Sequence, residues 1–176
     1  IAAAPVQSVN DLLKYAIGVD VRQRGDLGVQ TDISIRGGTF DQITLLLNGA
    51  NICDPQTGHY SADFPVDIND IERIEILEGP AGRVYGTSSL LGAINIVTKC
   101  DTQSHIAVKA ESGSYGLFQS GASLNITKGA LSNQISGSLS RCDGGTEDSD
   151  SKIQKIYYQG QYTHQDFNVN WQTGFI

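Results

Sequence analysis

The sequence predicts an α+β unit with short helices over the first hundred residues, followed by a run of antiparallel β-strands. Three observations predict it. Residues 71–99, IERIEILEGPAGRVYGTSSLLGAINIVTK, read as strand, turn, short helix and strand. After Lys99 five stretches alternate between apolar and uncharged polar side chains, the period of a strand with two unlike faces. Hydrophobic residues make up 39%, charged residues only 18%, and there are 20 glycines, a balance that suits a β-rich chain with many turns and not a helical bundle.

In order along the chain, residues 8–16 carry Val9, Leu12, Leu13 and Ala16 at helical spacing, with Ser8 placed to cap the first turn and Gly18 to end the last. A strand follows over residues 18–22, then a polar loop over 23–32, a second strand at 32–36 and a third at 43–47, ending on Asn48-Gly49, a pair suited to a tight two-residue turn. Residues 51–67 form the longest irregular stretch of the first half, and loops of that length are usually functional or disordered. Ile71, Ile74 and Ile76 then share one face of a strand, with Arg73 and Glu75 on the other. Gly79-Pro80 turns the chain, residues 80–85 are expected as one or two helical turns, Gly86 stops them, Gly92 permits close backbone approach, and residues 93–98 return as a strand.

The order of letters says more than periodicity. The segment E-G-P ending in Y-G, G-A-I-N-I-V-T-K, together with Ile35-Arg36-Gly37 and Leu45-Leu46-Leu47-Asn48-Gly49 upstream, resembles the plug domain of TonB-dependent outer-membrane receptors. Asn48 stands where that family usually has Asp. The resemblance covers residues 32–99 and extends back to about Ser8. It implies an α+β plug, a small mixed sheet with short helices at residues 1–100, and it identifies the alternating strands at 101–176 as about the first five of an outer-membrane β-barrel. The barrel is incomplete, because plugged transporters have about 22 strands. The residues expected to carry the structural motif are Arg36, Gly37, Asn48, Gly49, Glu75, Glu78, Gly79, Pro80, Tyr85, Gly86, Gly92 and Asn95, with Arg36 and Glu75 or Glu78 as a candidate ionic anchor.

In the same family, loops at the outward apex of the plug help receive substrate, which implies Arg24, Asp26 and Gln30 in the first loop and Asp54, Gln56, Thr57, His59 and Tyr60 in the second. The bland alternative is that these polar side chains are simply solvated. The resemblance further implies a nutrient ligand such as a siderophore, haem or cobalamin, outer-membrane lipid around the barrel, and coupling to TonB through a segment expected before Ile1. Open strand edges predict that the isolated chain self-associates.

In the barrel region Ile106, Val108 and Ala110 alternate with Lys109 and Glu111; Phe118, Ala122, Leu124 and Ile126 with Gln119, Ser123 and Asn125; and Leu131, Ile135 and Leu139 with Gln134, Ser136 and Ser138. Residues 153–164 and 167–175 complete the five. Their length is close to the 9 to 11 residues or so that a tilted strand needs to cross a bilayer. Short turns at 113–116 and 128–130 contrast with a longer acidic loop at 142–152.

Other functions are poorly supported. A formal net charge of −7 and the lack of any Lys/Arg run argue against a nucleic-acid partner. No stretch is long and apolar enough for a spanning helix. No Gly-x-Ser-x-Gly, His-Glu-x-x-His or phosphate-loop pattern points to an enzyme, and no cofactor is implied. Asp26, Asp54 and Asp63 are weak calcium candidates on ligand type alone. Cys53, Cys100 and Cys142 leave at least one thiol free, with a Cys53–Cys142 pairing as an open alternative. A soluble β-rich extracellular binding or adhesion module would explain the alternating strands but not residues 71–99.

Overall fold

The computed structural model describes residues 5–24, 27, 30–53, 63–79, 84–85, 89–146 and 148–176. Contacts divide the chain into two units, Ile1–Phe64 with Ile71–Thr98, and Pro65–Asp70 with Lys99–Ile176.

The first unit opens with helix α1 (Val9–Leu13), shorter than the apolar spacing predicts. Ser8 caps it as expected, its hydroxyl accepting from the Asp11 N–H at 3.1 Å. Beyond Leu13 the Lys14, Tyr15 and Ala16 N–H groups all bond three residues back, which tightens the chain into a turn before Gly18 and leaves Ile17 in solvent. Strands β1 (Val19–Arg24) and β2 (Gln30–Ile35) pair antiparallel, and Asn10 of α1 donates to the Thr31 hydroxyl at 3.0 Å.

The main sheet of this unit has the order β4 (Ala50–Asn51), β3 (Ile43–Leu47), β6 (Gly92–Thr98), β5 (Ile71–Glu78). It is mixed: β3 runs parallel to β6 and antiparallel to β4, while β5 runs antiparallel to β6. Every residue of β3 is buried, as its unbroken apolar run requires of a central strand covered on both faces. The register of β5 shifts between Ile71 and Arg73. That bulge resolves an oddity of the sequence, since Ile71 and Ile74 are three apart and would otherwise point to opposite faces. Of the helix expected at 80–85, only Val84 and Tyr85 are among the described residues, and they sit in a 3-10 turn.

The second unit is a five-stranded antiparallel meander, β7 (His105–Ser112), β8 (Phe118–Lys128), β9 (Leu131–Cys142), β10 (Ser151–Thr163) and β11 (Asn168–Phe175), with β7 and β11 at its edges. The connections at 129–130 and 164–167 lie at one end, and those at 113–117 and 143–150 at the other. The burial of its faces is the reverse of a soluble sheet. Ile106, Leu124, Ile135 and Tyr158 stand side by side across four strands, yet Ile106 is 74% and Ile135 49% exposed. On the opposite face Asn125, Gln134 and Ser136 are buried.

Both faces have identifiable partners or lack them. The Asn125 amide donates to the carbonyls of Gln103 and Asp101, and Ser132 and Thr127 also donate to the Asp101 carbonyl, fastening the strand entrance to the polar face. Among the described residues nothing covers the apolar face, and a contiguous apolar surface is stable only against lipid or another apolar partner. At the short-turn end of this face the Trp171 indole lies over Gly160, where an added Cβ would come within 2.2 Å of the ring. Its N–H donates to the Tyr158 hydroxyl at 3.1 Å, and that hydroxyl donates to Asn133 at 2.8 Å. Phe167 packs nearby on Tyr162, giving an aromatic cluster of the kind found where a barrel meets the membrane–water boundary.

Candidate functional site

The motif residues of the first unit converge on two clusters. In the first, Arg36 adopts φ 53° and Gly37 φ 76°, so the chain reverses immediately after β2. The reversal places the Arg36 guanidinium against the Glu78 carboxylate at the end of β5. Gly18 is part of the same cluster: its carbonyl accepts from the Arg36 N–H at 3.2 Å, and a Cβ there would come 2.9 Å from Glu78 Oε1. Of the two acidic partners expected for Arg36, it is therefore Glu78 that pairs with it.

Glu75 belongs to the second cluster, built around the β3–β4 turn. Asn48 (φ 50°) and Gly49 (φ 80°) are both left-handed, the two-residue turn whose twist suits a hairpin. Asn48 Oδ1 accepts from the Thr98 N–H at 2.9 Å, and its Nδ2 donates to the Thr98 hydroxyl at 2.8 Å. The amide thus uses both of its ends, which explains how Asn serves where Asp is usual. Gly49 N–H donates to Asn95 Oδ1 at 2.9 Å, Asn95 Nδ2 donates to Glu75 Oε2 at 2.9 Å, and Arg73 Nε donates to Glu75 Oε1 at 2.8 Å. The hydrogen bond from Asn95, followed by that from Arg73, holds the Glu75 carboxyl below its ordinary pKa. One connected network therefore pins the hairpin turn across β6 to β5. Nearby, Thr44 and Ser89 pair their buried hydroxyls.

Gly92 opens β6 opposite Glu78, where a Cβ would meet the Leu77 carbonyl oxygen at 2.3 Å. Gly79 (φ 70°) follows β5 directly, and its N–H donates to the Leu91 carbonyl at 2.7 Å. Tyr85 is described in its short turn; Pro80 and Gly86 lie outside the described residues.

Of the substrate-loop candidates, Arg24 and Gln30 are brought directly opposite each other where β1 and β2 end. Arg24 is exposed and reaches Asp32 diagonally at 3.3 Å. Asp26, Asp54, Gln56, Thr57, His59 and Tyr60 lie outside the described residues. Asp63 is described, but among the described residues no group of three His, Cys, Asp or Glu side chains is arranged to hold a metal ion. The Cys53–Cys142 alternative is not realised, since none of the three cysteines forms a disulfide.

Residues 1–93 match the family described as TonB-dependent Receptor Plug Domain. The chain belongs to that family. The vitamin B12 transporter BtuB of Vibrio vulnificus is 34% identical to this plug-bearing chain over 102 residues, covering 58% of it and 16% of the transporter. BtuB of Photobacterium profundum is 33% identical over 126 residues, covering 70% of the chain and 20% of that protein. The chain thus spans about a fifth of the length of the curated relatives it matches. The pyoverdine outer-membrane receptor FpvA of Pseudomonas aeruginosa PAO1, solved bound to pyoverdine, superposes with a TM-score of 0.76 at 17% identity, over 96% of this chain and 25% of that one. The likeness extends through the five strands, so the second unit of this receptor chain has the fold of outer-membrane barrel wall, open at both edges. An adhesion module is not favoured.

What the sequence missed is a side chain outside every motif. Asp70, just before β5, is buried against β9, where Ser136 and Gln134 donate to its carboxylate. An Asp in a polar stretch beside an Asn reads as solvated, and the only available signal was the smallness of the facing Ser136 and Gly137.

Proposed function

We propose that this chain is the plug (residues 1–100) and the first five wall strands (residues 101–176) of an outer-membrane receptor that takes up a metal chelate by active transport, with TonB supplying the energy through a segment ahead of the plug. The observation that carries this reading is the inverted sheet: a wall apolar outside and polar inside directly follows a plug in the chain. A cobalamin-class corrinoid is the leading substrate, supported by the two transporters named for vitamin B12 at 33–34% identity. The apical hairpin carrying Arg24 and Gln30, with Asp26 between them and Asp54, Gln56, Thr57, His59 and Tyr60 in the second loop, contributes polar contacts to it.

The test is titration of the full-length receptor in outer-membrane vesicles with cyanocobalamin and, separately, with ferric siderophores. Saturable corrinoid binding, weakened about tenfold by Arg24→Ala together with Gln30→Ala, is the expected result, an effect equivalent to losing one charge-assisted contact. Binding of a siderophore instead would move the substrate assignment within the same class. Binding of neither would overturn the reading.

The open edges have their own consequence. Among the described residues β7 and β11 each pair with a strand on one side only, which leaves an edge open to pairing. Expressed alone and refolded in detergent, the chain self-associates through them, and light scattering reports a mass well above 18.8 kDa. A monodisperse monomer would contradict this.

A further inference from the structure

The apolar face of the meander carries few charges, and all of them are cations. Followed by register from Ile135, that face takes the even positions of β8 and β10 and the odd positions of β9. The charged residues among these are Lys128, Arg141 and Lys152, and β7 and β11 add none to this face. They stand at the two ends and not between. Lys128 pairs with Leu131 at the short-turn end, while Arg141 and Lys152 face each other across β9 and β10 at the other, with Cα atoms about 5 Å apart as in any directly opposed pair. At about 3.4 Å per residue and a tilt of about 40°, the strand from Leu131 to Arg141 covers roughly 26 Å of depth, close to the apolar band of about 25 Å in outer-membrane barrels. The cations therefore mark the two borders of that band.

The Arg141–Lys152 border is the better equipped to hold an anion. Both residues are exposed, and Phe118 stands directly opposite Arg141 on β8, so an apolar ring lies beside the charge. Arg141 Nε and Nη2 both donate to Asp143 Oδ1, at 3.2 and 2.8 Å, which leaves Nη1 without a partner among the described residues. The Lys152 ammonium pairs with no acid among the described residues. The loop beyond the strands carries Asp143, Asp148 and Asp150. An anion arriving from bulk water meets those carboxylates first, whereas one arriving along the apolar face reaches the two cations from below the loop. This end of the sheet bears the longer connections, 113–117 and 143–150, and in bacterial barrels the longer loops are the outward ones.

We propose that Arg141 and Lys152 form a headgroup site on the lipid-facing side of the wall, holding the phosphate of an outer-leaflet lipid whose chains lie on the apolar face beneath. Arg141 Nη1 and Lys152 Nζ donate to phosphate oxygens, the planar guanidinium fixing direction and the ammonium adding a point charge, while Asp143 keeps the other edge of Arg141. The site rests on the wall lying in the outer membrane and not on which chelate is taken up.

Native mass spectrometry of the full-length receptor in non-ionic detergent, titrated with phosphatidic acid and separately with phosphatidylcholine, tests this. Phosphatidic acid should bind at least about tenfold more tightly. Arg141→Ala together with Lys152→Ala should remove about tenfold of that affinity, less than two unopposed cations would contribute because Asp143 shares Arg141. Arg141→Lys should retain part of it. Lys109→Ala, which removes one cation from the opposite face, should change it less than twofold. Equal affinity for the two lipids, or an equal loss from Lys109→Ala, overturns the site. Displacement of the lipid by inorganic phosphate at matched concentration also overturns it, since the site would then take the free anion and the apolar face would contribute nothing. Insertion into phosphatidylcholine vesicles needs none of these cations, and chelate titration reports on uptake separately. A receptor that inserts and binds chelate without headgroup preference therefore loses only this proposal, and one that shows the preference without binding chelate loses only the uptake reading.

Discussion

Replacing Gly92 by alanine is expected to cost the first unit about 3 kcal/mol, the upper part of the usual range for forcing atoms into a packed interior. The added Cβ would meet the Leu77 carbonyl oxygen at 2.3 Å and the Ile35 Cδ1 at 3.1 Å. The isoleucine tip can rotate away. The carbonyl cannot, because it belongs to the β5 backbone at the point where Leu77 faces Ala93 and Glu78 faces Gly92 in the ladder. Relief requires the strands to separate at their start, and this also strains the parallel pairing of Ile43 with Gly92. Urea unfolding followed by exchange of the β3 and β6 amides measures the loss, and Gly49→Ala provides a contrast. Nothing lies within 4 Å of a Cβ at Gly49, so that variant meets only the cost of its positive φ, roughly 1 kcal/mol. Equal effects at the two glycines would refute the close-approach argument.

The second large effect concerns the outer face of the wall. Ile135→Lys places a charge in the middle of the row formed by Ile106, Leu124 and Tyr158 and is expected to destabilise the membrane-inserted receptor by about 2–4 kcal/mol, the penalty for a cation near the bilayer midplane. Ser138→Lys, three residues along the same strand and on the opposite face, should cost far less, because that face is polar and meets water or polar groups. Folding into lipid vesicles, monitored by the heat-modifiable mobility of the folded receptor, distinguishes them. The contrast is diagnostic, since a soluble sheet would tolerate lysine on its exposed face. Comparable losses from both substitutions would contradict a lipid-facing assignment.

The extent to which the sequence discloses this architecture depends on the range of the interactions involved. The wall strands are legible because each has two unlike faces, and alternation such as Leu131, Ile135 and Leu139 against Gln134, Ser136 and Ser138 is a purely local signal. The Asn48-Gly49 turn is legible for the same reason. Helix α1 reads too long because Ala16 continues its apolar spacing, whereas only the hydrogen bonds reveal that the last turn tightens. The pairing of β3 with β6 is invisible, since nothing in either strand names a partner across half the unit. The bulge after Ile71 leaves a trace, the three-residue step to Ile74, whose meaning emerges only once β6 is alongside. In the candidate site, Arg36 announces itself through its motif but not its choice of Glu78 over Glu75, which is fixed by where β2 and β5 end. Asp70 has no local signature at all, because its role comes from Ser136 and Gln134, more than sixty residues downstream.

Chain connectivity also orders assembly in time. Each pair in the meander joins neighbours in sequence, β8 closing on β9 through residues 129–130, so its loops close at small entropic cost. The mixed sheet must instead bring Ile43 beside Gly92 before β3 gains its partner. Hairpins of the wall should therefore gain protection early and the interior strands of the gate late, an order that pulse-labelling during refolding would read from β8 and β9 amides slowing ahead of those in β3. The later-synthesised half of this chain would then be the first to mature, and the earlier half the last.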